Sequence, residues 1–252
     1  MVNFSLEGKR ALVTGASRGI GQALSLALAQ AGAHVICASS RAGGCDHTVS
    51  KILATGGSAN AVSADLSNAE QVAAMAEEAM GLKGNIDILV NNGGTIHRAP
   101  ATDFPLSAWQ HVLAVNLDSA FILSQAIGRN MIQQQQGKII NIASMLSYSG
   151  GITVPAYTAS KHAIAGLTKA LANEWGQFNI QVNAIAPGYI KTDNTQALQD
   201  DEKRSSEICA RIPAGRWGQT DDLAGAVVFL ASQASNYVNG HTLAVDGGFL
   251  AR

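Results

Sequence analysis

The chain has 252 residues, of which 47% are hydrophobic and 14% are charged. This composition suffices for a large buried core and differs from that of a disordered segment. The net charge is -1 and both signs are interleaved, so the chain has neither a basic stripe for nucleic acid nor a polybasic face for a membrane. We therefore expect small molecules as partners.

The cysteines and the N-terminus help to predict the cellular compartment of the protein. Cys37, Cys45 and Cys209 have no paired spacing, which argues against a disulfide framework and a zinc site. The first ten residues lack the apolar segment of a secretion signal, and no run of about 18 apolar residues occurs. We expect a cytoplasmic protein without a bound metal.

Short β-rich runs alternate with longer helical patterns along the chain. The predicted strands are 10–14, 34–38, 59–63, 86–90, 138–143, 180–186 and 241–245. The predicted helices are 19–31, 45–55, 68–80, 106–134, 156–176 and 221–232. This alternation predicts one α/β domain over 1–252, a three-layer Rossmann fold with a doubly wound, seven-stranded parallel sheet. The first six strands are nearly continuous apolar runs, so we expect them to be covered on both faces.

Residues 188–220 form the longest stretch without a clear strand. Long connections in compact domains are often functional, so we predict a substrate lid at about 188–220. The alternative is a surface loop with one helix.

A glycine-rich segment, TGASRGIG at 14–21, follows the first strand and opens the first helix. Its glycines permit a tight turn and close backbone approach, so that a pyrophosphate can bind at the helix N-terminus. The spacing differs from the commonest dinucleotide motif, but its position in the first βα turn supports the same function. The predicted cofactor contacts are Gly15, Ser17, Arg18, Gly19, Ile20 and Gly21.

The end of the second strand bears on cofactor choice. An acidic residue there is typical of NAD binding, whereas an arginine accommodates the 2′-phosphate of NADP. The chain has Ser39, Ser40 and Arg41 at this point, with Arg18 nearby in the glycine-rich segment. These residues favour NADP(H), and NAD(H) stays open.

Two later strand ends are predicted to complete the nucleotide pocket. Asp65 and Leu66 follow the third strand, where the Asp65 carboxylate can accept a hydrogen bond from the adenine amino group. The NNGG segment at 91–94 follows the fourth strand, and Gly93 lets the backbone pass under the cofactor.

Tyr157 and Lys161, in YTASK, are four residues apart at a helix start. They are offset by about 40° and about 6 Å, so both can address one ligand. Moving a phenol pKa from about 10 to about 7 requires about 4 kcal/mol. An ammonium about 5 Å away supplies about 3 kcal/mol at an effective dielectric constant of about 20, and an oxidised nicotinamide can supply the rest. We predict that Tyr157 is a general acid and base assisted by Lys161.

Two further polar residues join this set. Ser144 ends the fifth strand, where its hydroxyl can donate to a developing alkoxide. Asn116 lies in the middle of a predicted helix, where asparagine has poor propensity. We predict that Asn116 holds a water molecule that leads protons from Lys161 to bulk solvent.

Together with PG at 187–188, these motifs resemble the short-chain dehydrogenase/reductase family over essentially the whole chain. The resemblance implies a nicotinamide cofactor and assigns Ser144 to the substrate carbonyl, Tyr157 to proton transfer, Lys161 to the ribose and the tyrosine pKa, and Asn116 to the proton relay. It also implies cofactor contacts from Asn91, Tyr157, Lys161, Pro187, Gly188, Ile190 and Thr192. Gly94 stands where the family usually has alanine, which should only loosen the turn.

Longer stretches, such as NAIAPGYIKTDNTQAL and RIPAGRWG, resemble one subfamily, the 2-dehydro-3-deoxy-D-gluconate 5-dehydrogenases. This resemblance implies interconversion of a secondary alcohol and a ketone on a six-carbon, sugar-derived keto-acid in uronate breakdown. It also implies NAD(H), against the residues at 39–41, so both cofactors stay open. Gluconate 5-dehydrogenase and 3-oxoacyl carrier-protein reductase are the alternatives within the family.

An acid substrate requires a cation in the pocket. The candidates for binding the carboxylate are Arg98, Lys191, Arg211 and Arg216. Other side chains that can shape the substrate pocket are His97, Met145 and Trp217, with ordinary packing as the alternative for each.

Two functions of other classes are alternatives to catalysis. A non-catalytic NAD(P) sensor on this fold typically lacks a proton-transfer residue, and this chain has the whole set. A purely structural subunit is the other possibility. The family commonly forms homotetramers through long helices and the C-terminal segment, so we expect a homotetramer that supports the enzyme.

Overall fold

The computed structural model describes residues 3–252, apart from the side chain of Lys83. Within that range, seven strands form one parallel sheet in the order β3-β2-β1-β4-β5-β6-β7, which confirms the predicted doubly wound Rossmann fold. The strands are β1 (Arg10–Thr14), β2 (His34–Ser39), β3 (Ser58–Ser63), β4 (Ile88–Asn91), β5 (Gly137–Ile142), β6 (Ile180–Pro187) and β7 (Thr242–Val245).

Helices cover both faces of the sheet. They are α1 (Gly19–Gln30), α2 (Asp46–Ala54), α3 (Ala69–Lys83), α4 (Leu106–Leu113), α5 (Ser119–Gln134), α6 (Pro155–Trp175), α7 (Gln196–Asp200), α8 (Glu202–Arg211) and α9 (Ala224–Ala231). Helices α1, α2 and α9 pack on one face, and α3, α5 and α6 pack on the other. Between residues 3 and 252, no helix is long and apolar enough to cross a membrane.

Alternate residues of each central strand enter different cores. In β1, Ala11 and Val13 face the core beneath α1 and α9, whereas Leu12 faces the core beneath α3 and α5. All three side chains are fully buried. Because side chains alternate between the faces of a sheet, a strand covered on both faces must be apolar throughout, as the sequence of β1 predicts.

The prediction of coverage on both faces is wrong for β3. Its sequence, SANAVS, has only Val62 fully buried, and Ser58 and Ala61 are exposed. The reason is its position, because β3 pairs with β2 alone and forms an edge of the sheet.

The predicted helix 106–134 is interrupted in the structure. A π-helical turn at Ala114–Asp118 separates α4 from α5. Asn116 lies inside this turn, where its side chain is buried. Single π turns within α-helices are frequent at functional sites, and the periodicity of the sequence does not reveal this one.

The segment 188–220 is more structured than a loop with one helix. It contains α7, α8 and a short turn of 3-10 helix at Asp193–Thr195. Tyr189 and Lys191 exchange backbone hydrogen bonds with Gly218, which brings the two ends of the segment together.

Candidate active site

A cavity of about 1090 Å³ lies at the carboxyl ends of the strands. Its wall includes segments that follow β1, β2, β3, β4, β5 and β6, together with residues of the 188–220 segment. The strand order reverses between β1 and β4, and open α/β sheets bind ligands at such a point. The cavity is therefore the candidate active site.

The glycine-rich turn after β1 forms one end of the cavity. Gly15 and Gly19 have φ angles of +64° and +56°, a region that glycine enters without strain. A Cβ on Gly21 would collide with the carbonyl oxygen of Gly15, so this position has room only for hydrogen. The three glycines are thus required by the turn itself.

Helix α1 presents an unblocked N-terminus to this end of the cavity. Its N-cap, Arg18, makes no side-chain capping bond, and its first turn contains no acidic residue. The first amides of a helix have no intrahelical partners and favour anions. The site therefore fits a dinucleotide pyrophosphate.

Thr14 and Asn92 hold the glycine turn against β4. Thr14 Oγ1 accepts hydrogen bonds from the backbone amides of Asn92 and Gly93, at 3.0 and 2.8 Å. The side-chain Nδ2 of Asn92 in turn donates to the backbone carbonyls of Thr14 and Gly15. Sequence analysis missed both roles, although Thr14 begins the glycine motif and Asn92 lies within NNGG.

The two candidate arginines for the pocket beside β2 differ in position. Ser39, Ser40 and Arg18 lie on the cavity wall, whereas Arg41 is exposed and outside it. Ser39 Oγ donates to the backbone carbonyl of Arg41, and this hydrogen bond stabilises the turn after β2. Arg18 forms an ion pair with Asp193 at 3.2 Å, across the mouth of the cavity. Arg18 is therefore the better placed cation for a phosphate.

Asp65 also lies on the wall of this pocket. The backbone amide and the hydroxyl of Ser67 donate to one Asp65 oxygen, and these bonds lower the pKa of the carboxyl group. The ionised form can accept further hydrogen bonds, as an adenine amino group requires.

Ser144, Tyr157 and Lys161 meet near the centre of the cavity wall. Ser144 follows β5, and its Oγ accepts a hydrogen bond from the Leu146 amide at 3.1 Å. Tyr157 lies in the first turn of α6, which begins with Pro155 at a position that proline favours. Lys161 Nζ lies 5.6 Å from the centre of the Tyr157 ring.

The electrostatics of Tyr157 differ from the expected arrangement. Burial raises the pKa of Tyr157, while a hydrogen bond with Ser144 and the charge of Arg98 oppose that rise. Lys161 Nζ donates to the Ile142 carbonyl at 2.6 Å, and burial lowers the pKa of Lys161 to about 8. Because burial is the larger effect, the phenol is protonated at neutral pH in this arrangement.

Helix α6 buries Lys161 on the face that packs against the rest of the domain. Lys161 is buried on the same face as Ile164 and Thr168, whereas Ala163 and Leu167 are partly exposed. The face of α6 that carries Lys161 therefore continues toward its C-terminus as an apolar face, in which Leu171 and Trp175 pack in the core against the sheet.

The Asn116 side chain is fully engaged with protein groups. Its Oδ1 accepts from the Thr95 amide at 2.8 Å, and its Nδ2 donates to the Thr95 carbonyl and to Ser160 Oγ. Ser160, which is buried, donates to the Tyr157 carbonyl at 2.7 Å. Asn116 therefore ties the 91–95 segment to α6, and sequence analysis missed Ser160, to which it assigned no chemistry.

Three arginines besides Arg18 line the cavity. They are Arg98, Arg204 and Arg211. Sequence analysis missed Arg204. The other two candidates lie outside the wall: Lys191 is exposed, and Arg216 forms a bidentate ion pair with Asp222.

The residues expected to shape the substrate pocket separate into two groups. Met145 lies on the cavity wall and packs with Ile208 and Phe249. Trp217 lies behind the wall, where its ring packs against Tyr189 and its Nε1 donates to Ser205 Oγ at 3.0 Å. His97 packs edge-on against Phe104 and is not part of the wall.

Most of the predicted site residues line the same cavity. The structure brings together Gly15, Ser17, Arg18, Gly19, Ile20, Gly21, Ser39, Ser40, Asp65, Leu66, Gly93, Arg98, Ser144, Met145, Tyr157, Lys161, Pro187, Gly188, Ile190 and Thr192. It leaves Arg41, Asn91, Asn116 and Trp217 outside the wall. Asn91 is buried between strands, where its Nδ2 donates to Ser124 and Asn141.

Comparison with known proteins agrees with this geometry. Residues 15–250 match a family model described as enoyl-(acyl carrier protein) reductase. The chain belongs to the short-chain dehydrogenase/reductase family of NAD(P)-dependent oxidoreductases.

Several relatives named for sugar acids are similar to the chain over its whole length. It is 58% identical to 2-dehydro-3-deoxy-D-gluconate 5-dehydrogenase of Bacillus subtilis, over 99% of this chain and 97% of the relative. Identity to the Escherichia coli enzyme of that name is 52%, over 99% and 98% of the two chains. The crystal structure of a Burkholderia cenocepacia gluconate 5-dehydrogenase in complex with NADP and tartrate is 43% identical, with a TM-score of 0.96 over 100% and 98% of the chains.

Proposed function

We propose that the protein interconverts a secondary alcohol and a ketone on a six-carbon, sugar-derived keto-acid, with a nicotinamide cofactor. The activity is that of a 2-dehydro-3-deoxy-D-gluconate 5-dehydrogenase, and the names of the relatives at 58% and 52% identity support it.

The distribution of charge along the cavity carries the proposal. Arg98 and Arg211 line the cavity near the proposed reacting groups, because the charge of Arg98 acts on Tyr157 and Arg211 lies on Phe249, which packs with Met145. Arg204 also lines the wall, but its charge is already paired with Glu207. Among the described wall residues, the carboxylates are Asp65 and Asp193, which belong to the nucleotide end. A positive end suits an anionic substrate, because the local potential attracts carboxylates and repels cations.

The same cavity accommodates the cofactor. The unblocked α1 N-terminus and the glycine turn would hold the pyrophosphate, Asp65 the adenine, and Tyr157 and Lys161 the nicotinamide ribose. When bound, the nicotinamide exchanges a hydride with the substrate carbon. We propose a preference for NADP(H), because Arg18 lines the pocket beside β2 and the end of β2 carries Ser39 and Ser40 instead of a carboxylate. The NADP bound in the Burkholderia relative agrees with this preference.

The residues around the reacting oxygen have distinct tasks. Tyr157 is protonated at neutral pH and donates its proton to the carbonyl oxygen in the reducing direction. Ser144 orients that oxygen through a hydrogen bond that strengthens as negative charge develops. Lys161 keeps a positive charge below pH of about 8, which favours the tyrosinate needed for oxidation.

Two further proposals concern the rest of the chain. Residues 188–220 act as a substrate lid, because they supply Tyr189, Leu198 and Arg211 to the cavity wall. The protein assembles as a homotetramer, since α4 and α5 leave Leu106 and Phe121 largely exposed, at 69% and 45%. Light scattering after size-exclusion chromatography tests the assembly, and a monomer would contradict it.

A substrate panel tests the function. Absorbance at 340 nm is followed with NADH and NADPH against three ketones: 3-deoxy-2,5-diketo-D-gluconate, 5-keto-gluconate and an acetoacetyl thioester. We expect turnover of the sugar acids and little of the thioester. Preference for the thioester would instead assign the protein to 3-oxoacyl reduction, and no turnover with cofactor binding intact would favour a sensor.

A further inference from the structure

The three arginines that line the cavity besides Arg18 differ in their surroundings. Arg204 is already paired with Glu207 at 3.1 Å. Arg98 lies close enough to Tyr157 for its charge to oppose the rise in the tyrosine pKa. Arg211, the last residue of α8, has no ion-pair partner in the part of the chain that the structure describes. Its charge is therefore available to a ligand.

The guanidinium of Arg211 lies over an aromatic ring. Its Cζ lies 4.5 Å from the centre of the Phe249 ring. Stacking of this kind occupies the face of the planar guanidinium and leaves its N–H edges free. Those edges form the fork that matches a carboxylate bidentately.

Phe249 is itself a firmly held platform. Its side chain is buried and packs edge-on against Tyr189 at 5.6 Å. The Asp246 carboxylate accepts hydrogen bonds from the amides of Gly248 and Leu250, which fixes the turn that carries Phe249. Because this platform is fixed, the Arg211 guanidinium that lies on it loses little conformational entropy when it binds a ligand.

Helix α8 provides a matched comparison within the same wall. Arg204 and Arg211 are seven residues apart, about two turns, so they lie on one face of the helix. Ile208, between them, is buried against Met145 and Phe249 and anchors that face. The two arginines thus differ mainly in their partners, one having Glu207 and the other Phe249.

We propose that Arg211, stacked on Phe249, binds the substrate carboxylate, while Arg98 acts on the reacting half of the substrate beside Tyr157. This inference rests on the proposed function, because it assumes an acid substrate. It makes Arg211 a specificity-determining residue and Phe249 a positioning residue that acts through it.

Two variants of α8 test the assignment. Arg211→Gln should raise the KM for the sugar acid about 10- to 100-fold, the loss typical of a charge-assisted hydrogen-bonded pair. Arg211→Lys should recover part of that loss, because an ammonium supplies charge without the fork. Arg204→Gln should change KM less than about twofold, and all three should bind NADPH as the wild type does. An equal effect of Arg204→Gln, or an unchanged KM in Arg211→Gln, would overturn the assignment.

Phe249→Leu tests the platform. It should raise KM several-fold with kcat nearly unchanged, and Phe249→Tyr should restore the wild-type KM because its ring can stack in the same way. A parallel fall in kcat that Phe249→Tyr does not rescue would mean that Phe249 only supports the fold.

Direct binding separates this inference from the proposed function. D-gluconate is titrated calorimetrically into the wild-type NADPH complex and into its Arg211→Gln and Arg204→Gln counterparts. Weaker binding in Arg211→Gln alone supports the carboxylate assignment even if no ketone of the panel is reduced. Equal binding in all three, or none in the wild type, overturns the assignment, whatever the turnover results.

Discussion

The two ends of the cavity are built in different ways. At the nucleotide end, the ligand site consists largely of backbone, with Gly15, Gly19 and Gly21 in one turn and the amides of α1 beyond it. At the substrate end, side chains from distant segments meet, such as Arg98, Arg211 and Phe249. A backbone site leaves a compact motif in the sequence. A side-chain site leaves scattered residues whose association depends on the fold.

This contrast has a functional meaning. Every dinucleotide presents the same pyrophosphate, so a backbone cradle is suited to a cofactor shared by many reactions. On the proposed function, substrate choice depends on the position of a few charged groups, such as Arg98 and Arg211, which line the cavity wall. Substitutions at the nucleotide end should therefore affect binding of every cofactor, whereas those at the substrate end should separate one substrate from another.

The largest expected effect is at Tyr157, between the two ends. Tyr157→Phe removes the proton donor and should lower kcat about 10²- to 10⁴-fold, while the affinity for NADPH, measured by fluorescence titration, stays within about threefold. Tyr148→Phe is the control, because its hydroxyl contacts the Thr242 carbonyl away from the cavity. Wild-type turnover in Tyr157→Phe would remove the assigned acid.

Gly21→Ala tests the backbone site. The new Cβ would meet the Gly15 carbonyl, so we expect a loss of about 1 to 3 kcal/mol in the free energy of unfolding and greatly weakened binding of both cofactors. Gly81→Ala is the matched control in α3, where the Cβ meets open space and should stabilise the protein by about 0.5 to 1 kcal/mol. Urea unfolding measures both. Similar stabilities for the two variants would contradict the close approach of α1 to Gly15.

A smaller effect is expected at the adenosine pocket. Arg18→Ala should weaken NADPH binding about tenfold and NADH binding less, because Arg18 lines the pocket. Arg41→Ala should change either affinity less than about twofold, since Arg41 lies outside the wall. A larger effect of Arg41→Ala would restore the prediction made from the sequence alone.

Lys138, remote from both ends, should show the smallest effect on catalysis. Burial lowers its pKa from 10.5 to about 8, and it donates to Asn236 Oδ1 at 2.9 Å. Between these pH values the unfolded chain retains the proton that the folded protein releases, so this residue makes stability rise with pH. Lys138→Met removes the rise, and its stability relative to wild type should fall from pH 8 to 10.5 in urea unfolding, with kcat unchanged. A constant difference across that range would refute the shifted pKa.

Part of the fold and the site was predictable from local patterns. The strand β1 was predicted with its observed ends, because both of its faces are buried and its residues are apolar without interruption. The same reasoning was wrong for β3, because a strand sequence does not state whether helices cover it. Arg18 and Arg41 were both predicted as cofactor contacts, although only Arg18 lines the cavity, because distance along the chain does not show on which side of a turn a side chain lies.

The sequence by itself determined the elements of the fold, the glycine turn and the set of Ser144, Tyr157 and Lys161, because these depend on local backbone geometry and on order along the chain. Only the tertiary structure decided which charges meet and what holds them. It engaged Asn116 with Thr95 and Ser160, paired Arg18 with Asp193, and placed Arg211 on Phe249. The physical reason is that burial and Coulomb energies depend on distances in space, which separations along the chain do not specify.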